Sequence, residues 1–195
     1  MNYKDYQFSR NAAWRLLIDC SITELPIKPT RICRQLGIPV RIGTPPKGSD
    51  GCAIVVNGEP IIILSGEPAV TRQRFSAAHE LGHILLGHLG HVDLVNREPS
   101  PQDSPIEQAA NVFASRLLAP ACVLWGCGVA SAEEIGALCD IGPQAAALRW
   151  QRMQELNRRN KFLLHPLERQ VYAQFQAYIE THRLRDRPAP PEVGQ

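Results

Sequence analysis

The sequence predicts an α+β fold, in which a small N-terminal β-sheet is followed by a mostly helical chain. Two apolar runs, residues 53–56 and 61–64, flank Asn57-Gly58, a pair suited to a tight hairpin turn. From Phe75 onward, apolar residues recur at the three- and four-residue spacing of a helix that buries one face. With 195 residues, 44% of them apolar, the chain is long enough for one compact domain with a small appendage.

Helix start and stop signals divide the rest of the chain into elements. In chain order we predict helices over residues 9–19 and 29–36, a strand over 39–42, the hairpin, a helix that Gly90 ends, a helix that starts at Ser104, and helices from Pro120 to near His182. Gly142-Pro143 interrupts the last helical stretch, so its outline resembles a helix-turn-helix.

Three segments follow from this order. Residues 1–120 are predicted to form a core domain that contains the sheet and two long helices. Residues 121–183 are predicted to form a helical region packed on that core. Residues 184–195 are rich in proline and are expected to be disordered.

Composition argues against secreted and membrane proteins. The first ten residues lack the apolar segment of a secretory signal, and no apolar run reaches the length of a membrane span. Six cysteines occur without a C-x-x-C pair, which favours free thiols in a reducing compartment over a zinc ribbon. We therefore expect a cytoplasmic protein with no membrane contact.

The run His79-Glu80-Leu81-Gly82-His83 predicts a metal site. Side chains four residues apart on a helix lie about 40° apart around the axis and one turn along it, so the two imidazoles converge. Zinc binds neutral imidazole, and a catalytic zinc keeps one position open for water. Glu80 stands beside the first ligand, where its carboxylate can accept a proton from that water.

Glu107 is the candidate third ligand, on the helix that starts at Ser104. A second interpretation stays open here, since Ser104-x-x-Glu107 is also a capping box in which the carboxylate reaches back to the start of the helix. Asn111 lies one turn after Glu107, where its side chain can accept from the free N–H of a ligating imidazole and orient the ring.

Two further histidines follow the first helix. The metzincin pattern H-E-x-x-H-x-x-G-x-x-H fails, because Leu86 and Leu89 occupy the positions of its glycine and third histidine. His88 and His91 are therefore expected to be polar residues near the end of the helix.

The two helices together resemble the ImmA/IrrE family of metallopeptidases. The first helix matches over residues 74–88. The second matches the pattern E-x-x-A-N-x-F-A-x-x-L-L-x-P, with Glu107, Ala110, Asn111, Phe113, Ala114, Leu117, Leu118 and Pro120 in place. The resemblance extends over about residues 5–150. It departs at Ala109, where many relatives carry a second glutamate.

The resemblance implies a zincin-like core and a Zn²⁺ cofactor held by His79, His83 and Glu107, with Glu80 as catalytic base. It implies a gluzincin-like endopeptidase of the cytoplasm, encoded on bacterial mobile elements or in stress-response loci. Its partner would be a protein substrate, a helix-turn-helix repressor, whose cleavage derepresses genes.

Two other function classes remain open. One is a DNA-binding regulator with a vestigial metal site, and the other is a zinc-stabilised interaction protein without catalysis. A structural zinc site would need no base, so Glu80 favours the enzyme over the interaction protein. For the group that stabilises the oxyanion, the candidates are His91, Arg116 and His165. The oligomeric state cannot be predicted from these patterns.

Overall fold

The fold combines a three-stranded mixed sheet with helices that precede and follow it. It is described from a computed structural model over residues 1–46, 49–67, 69–89 and 104–185. The strands are β1 (Val40–Gly43), β2 (Gly51–Val56) and β3 (Glu59–Ser65). The helices are α1 (Tyr3–Asp19), α2 (Pro29–Gln35), α3 (Val70–Leu85), α4 (Pro105–Leu118), α5 (Ala121–Gly126), α6 (Ala132–Cys139), α7 (Pro143–Arg158), α8 (Pro166–Gln174) and α9 (Gln176–Thr181). The predicted α+β class is confirmed.

The sheet has the strand order β1-β3-β2. β2 and β3 form the predicted hairpin, with Ala53 opposite Ile62 and with positive φ angles at Asn57 (53°) and Gly58 (85°), as a type I′ turn requires. β1 pairs in parallel with the other side of β3, which places Val40 opposite Ile62 as well. Within the described residues β2 is therefore an edge strand.

α1 begins at Tyr3 rather than at residue 9. The side chain of Asn2 accepts a hydrogen bond from the N–H of Asp5 at 2.9 Å and caps the helix. The first turns of α1 are polar and partly exposed, so the spacing of apolar residues does not detect them.

The prediction that Gly90 ends α3 is wrong, because α3 ends at Leu85. Gly87 adopts the left-handed conformation (φ 74°) that closes a helix, and the N–H of His88 then turns back to the carbonyl of His83 at 2.9 Å. The earlier stop brings His88 back over the last turn of the helix.

The C-terminal region is helical, as predicted, and α6 packs against α7. Ser131 caps α6 through the N–H of Glu134 at 3.2 Å. The helix-turn-helix character of this region stays a prediction. Leu184, at the start of the predicted tail, donates its N–H to the carbonyl of Cys127 at 2.7 Å, and residues 186–195 lie outside the described part of the chain.

A continuous hydrophobic core runs from α1 to α9 and includes residues on both sides of position 120. The division into residues 1–120 and 121–183 thus stays a prediction. All six cysteines are buried and free.

Contrary to the sequence expectation, the stretch Pro105–Gly126 is long and apolar enough to cross a membrane. In the fold, however, 78% of its most apolar window is buried, as in the core helix of a folded domain.

Candidate metal centre

α3 and α4 pack against each other and bring the side chains of His79, His83 and Glu107 together. Nε2 of His79 lies 2.9 Å from Nε2 of His83 and 3.1 Å from Oε2 of Glu107. Nε2 of His83 lies 3.4 Å from Oε1 of Glu107. Both imidazoles are almost fully buried, whereas the Glu107 side chain is 17% exposed, so solvent reaches the cluster on the carboxylate side.

The three side chains fit a divalent metal ion. Two ligands at zinc-binding distance in a tetrahedron stand roughly 3.3 Å apart. The observed separations of 2.9, 3.1 and 3.4 Å lie close to that value. Two imidazole nitrogens and one carboxylate are also the donor set of a catalytic zinc with its fourth position left open.

Asn111 orients the first imidazole. Its Oδ1 lies 2.9 Å from Nδ1 of His79, and an amide oxygen can only accept. Nδ1 of His79 therefore carries a proton in this contact. Its Nε2 faces Glu107 and His83, where it can donate to the carboxylate or, once deprotonated, bind a metal ion.

His88 lies against the second imidazole, a contact that the sequence reasoning did not anticipate. Nδ1 of His88 is 3.1 Å from Nδ1 of His83, so one of the two rings donates to the other. Gly87 could have indicated this contact, because a glycine directly after α3 allows the chain to fold back. The prediction that the helix continues to Gly90 left no such turn.

Gly82 permits the close approach of the two helices. A Cβ at this position would lie 2.9 Å from Cδ1 of Phe113 on α4, closer than side chains pack. Because Gly82 lies between the two histidines in sequence, the space that it leaves is where α4 must approach for Glu107 to reach the imidazoles.

Glu107 was interpreted from the sequence either as a metal ligand or as part of a capping box, and the structure has features of both. Its backbone N–H donates to the Ser104 hydroxyl at 3.3 Å, which caps α4, while its carboxylate lies against the two histidines. Burial alone would raise the pKa of Glu107, but hydrogen bonds and electrostatic attraction from His79 and His83 outweigh it and lower that pKa to about 2. The carboxylate is ionised, as a metal ligand must be.

Glu80 is buried beside this cluster. Its side chain is 1% exposed, and its Oε2 has no hydrogen-bond partner within the described structure. Burial raises the pKa of Glu80, and the charge of Glu107 raises it further, against the opposing effects of His79, His83 and the backbone N–H of Ala53. A buried carboxylate oxygen without a partner is rare in folded proteins, and a water molecule at the cluster would satisfy it.

The three candidates for oxyanion stabilisation fall in different places. His165 caps α8, where its Nδ1 accepts from the N–H of Leu167 at 3.2 Å. Arg116 lies on α4 and donates to the hydroxyls of Ser115 and Tyr6. His91 lies outside the described residues.

Ala109 does not occupy the place of a missing ligand. Two residues along a helix differ by about 200° around its axis, so a glutamate at position 109 would point away from the face that carries Glu107. Ala109 is instead buried, at 6% exposure.

Residues 33–127 match the family model of the IrrE N-terminal-like domain, Peptidase_M78. The chain therefore contains an IrrE-type peptidase domain. The match is shorter than the resemblance over residues 5–150, but the IrrE-type domain that it defines includes the sheet, α3, α4 and the four residues of the candidate site, His79, Glu80, His83 and Glu107. Helices α6 to α9 follow it. No curated protein matched the chain.

Proposed function

We propose that this IrrE-type protein is a zinc-dependent endopeptidase with His79, His83 and Glu107 as metal ligands and Glu80 as catalytic base. The observation that supports it most is Glu80 itself. A metal site that only stabilises the fold needs no acid beside its ligands, and a buried carboxyl with an unpartnered oxygen is costly to keep.

Each residue of the site has its own role in the proposed hydrolysis. A zinc ion in this site supplies Lewis acidity that activates water and polarises a carbonyl. Glu80 accepts the proton of the attacking water and passes it to the amide nitrogen of the leaving peptide. Asn111 holds His79 in the tautomer whose Nε2 can ligate, and His88 supports the ring of His83 in the same way.

The edge strand β2 is suited to binding an extended polypeptide. The N–H of Ala53 contacts the Glu80 carboxylate, so this strand passes directly beside the base. On its outer side β2 has no strand partner among the described residues, and an added strand can use such an edge for backbone hydrogen bonds.

The proposed substrate is a helix-turn-helix repressor in the cytoplasm, cut so that genes of a mobile element or a stress response are derepressed. This part is supported by the match of residues 33–127 to the IrrE N-terminal-like domain and by the resemblance of both helices to the ImmA/IrrE family. A protease that acts in the cytoplasm must be selective, which favours one protein substrate over general digestion.

The decisive experiment combines metal analysis with incubation of the purified protein and the helix-turn-helix protein encoded beside it. We expect about one zinc per chain and a single cut. Glu80→Gln should retain the metal and lose roughly 10²- to 10⁴-fold in cleavage rate. Bound zinc together with equal cleavage by Glu80→Gln would exclude Glu80 as the base.

The rival functions give different results in the same preparation. A zinc-stabilised interaction protein would bind the repressor without cutting it, and Glu80→Gln would bind equally well. A DNA-binding regulator would shift DNA in a gel in a salt-sensitive manner, through the helices that follow the IrrE-type domain.

A further inference from the structure

A cavity of about 490 Å³ opens between α3, α4 and the start of α7. Asn111 lines it and also orients His79, so the cavity begins directly behind the proposed metal centre. Phe75, Val112 and Leu148 supply apolar surface. Nothing in the proposed peptide hydrolysis uses this space.

The charged side chains that line the cavity are unbalanced. Among the described residues they are Asp50, Arg72, Arg116 and Arg149, three cations and one anion. Asp50 and Arg72 form an ion pair with each other. Arg116 and Arg149 remain as an excess of two positive charges on the α4 and α7 sides.

Arg149 is the unusual member, because its side chain is buried at 5% exposure. Its Nε donates to the carbonyl of Ala119, the C-terminal cap of α4, at 2.7 Å. Within the described structure it forms no ion pair. Burial and the neighbouring charge of Arg116 lower the pKa of Arg149 to about 9, so the group is still charged at neutral pH but is held in an unfavourable place.

Neighbouring acids do not neutralise it. Glu168 is close enough for Arg149 to lower its pKa slightly, yet burial dominates and raises the pKa of Glu168 to about 7. No ion pair forms between the two within the described residues.

The pKa of Tyr6 shows that the surroundings of Arg116 are electrostatically positive. Burial would raise the pKa of Tyr6, but Arg116 and Arg152 outweigh it and lower that pKa to about 8.

The start of α7 adds to this field. Gly142 is the N-cap of a 16-residue helix, and within the described part of the chain no side-chain cap hydrogen bond is made there. Gly142, Gln144 and Ala145 line the cavity. The positive end of the helix dipole and the two arginines therefore face the same space.

We propose that this cavity is an oxyanion-binding site, in which a carboxylate or phosphate group pairs with Arg149 and Arg116 at the start of α7. Nε of Arg149 already donates to the carbonyl oxygen of Ala119, so the two terminal guanidinium nitrogens are the donors that remain. Together they suit a group with two oxygens. A buried guanidinium without a counter-ion gains most from such a ligand.

Two sources of the oxyanion are compatible with the position. Asp50 lines the cavity and immediately precedes β2, so an acidic side chain of a polypeptide paired with β2 can reach the site. That source rests on the proposed peptidase function. The second source is a free small oxyanion that acts as an effector, and it does not depend on the peptidase function.

The test is an NMR titration of the full-length, metal-loaded protein, in which backbone amide shifts of Gln144 and Ala145 are followed. One arm uses N-acetyl-L-glutamate amide with N-acetyl-L-glutamine amide as its neutral match. The other arm uses inorganic phosphate. The variants are Arg149→Met and, in case that protein folds poorly, Arg116→Met.

Arg74→Met is the matched control. Arg74 also donates to the carbonyls at the end of a helix, those of Cys139 in α6 and of its C-cap Asp140, and it forms an ion pair with the Asp140 carboxylate. It does not line this cavity. A general loss of stability from removing a helix-capping arginine would therefore occur in both proteins, whereas loss of oxyanion binding would not.

We expect one of the two oxyanions to shift these amides in a saturable manner and to bind at least roughly tenfold more weakly to Arg149→Met and Arg116→Met, with Arg74→Met unchanged. Tighter binding of the glutamate derivative identifies an acidic side chain as the source, and tighter binding of phosphate identifies a free effector. Absence of saturable shifts with either probe, equal binding of the glutamine derivative, or binding that survives Arg149→Met would overturn the proposal.

Discussion

At the scale of single residues, the candidate metal centre depends on which atom each side chain presents. His79 has two ring nitrogens, and only the contact of Nδ1 with Asn111 directs Nε2 toward Glu107. Glu107 likewise uses its backbone N–H to cap α4 and keeps its carboxylate for the histidines. Residues that orient a ligand should therefore affect metal binding differently from the ligands themselves.

Replacing Glu107 by alanine removes a proposed ligand, and replacing Asn111 by alanine removes only the group that orients one. We expect Glu107→Ala to abolish stoichiometric zinc binding, and Asn111→Ala to weaken it by roughly 10- to 100-fold. Competition with a chromogenic chelator measures both affinities.

Asn111→Asp is the matched variant, since it keeps an oxygen acceptor at the position that contacts Nδ1 of His79. It should recover most of the affinity that Asn111→Ala loses. Equal zinc affinity of Asn111→Ala and wild type would mean that the contact with His79 does not support the metal.

At the scale of elements, the site depends on how closely α3 and α4 approach. Neither helix holds the complete set of ligands, because His79 and His83 lie on α3 and Glu107 lies on α4. Phe113 packs where a side chain at position 82 would otherwise extend.

Gly82→Ala should force the two helices apart. The added Cβ would meet Phe113 at 2.9 Å, so we expect a loss of about 1–3 kcal/mol in the free energy of unfolding, together with weaker zinc binding. Urea denaturation measures the first and chelator competition the second.

Gly136→Ala, in the middle of α6, is the control for the change in helix propensity. Its Cβ would meet nothing closer than 3.6 Å, so the substitution should stabilise the protein by about 0.4–1 kcal/mol. A Gly82→Ala protein that is as stable as Gly136→Ala would show that α4 can adjust without cost.

At the scale of the whole molecule, the helices that follow the IrrE-type domain share one core with it. Arg149 of α7 donates to the carbonyl that ends α4, and Gln174 of α8 donates to the carbonyl of Leu17 in α1 at 2.8 Å. This shared core also buries a titratable group, Glu168 of α8, at 4% exposure.

Glu168 should make the stability of the whole fold depend on pH. Burial raises the pKa of its carboxyl from 4.5 to about 7. Between these values the carboxyl of Glu168 has released its proton in the unfolded chain and retains it in the folded chain. The contribution of Glu168 to the free energy of unfolding therefore falls as pH rises, by about 3 kcal/mol at most, and this contribution is constant above about pH 7.

Glu168→Gln should remove this dependence. Urea denaturation at about pH 5 and pH 8 should show the variant gaining stability relative to wild type as pH rises, and titration of the zinc ligands cancels in the comparison. The same difference in stability at both values would show that Glu168 titrates normally.

By itself, the sequence determined the parts of the protein that local patterns encode. The Asn57-Gly58 hairpin, the helical positions of His79 and His83, and the capping of α4 by Ser104 each depend on neighbours a few residues away. Such features follow from the spacing of apolar residues and from turn and cap chemistry. The family could be inferred for the same reason, since its motifs are short and continuous.

Only the tertiary structure decided how distant segments meet. The contact of Glu107 with the imidazoles, the return of His88 onto His83 and the cavity lined by Arg149 all join residues whose proximity depends on helix packing or on where a helix ends. A sequence pattern records periodicity along one element, whereas the burial of Arg149 without a counter-ion arises from several elements packed around it.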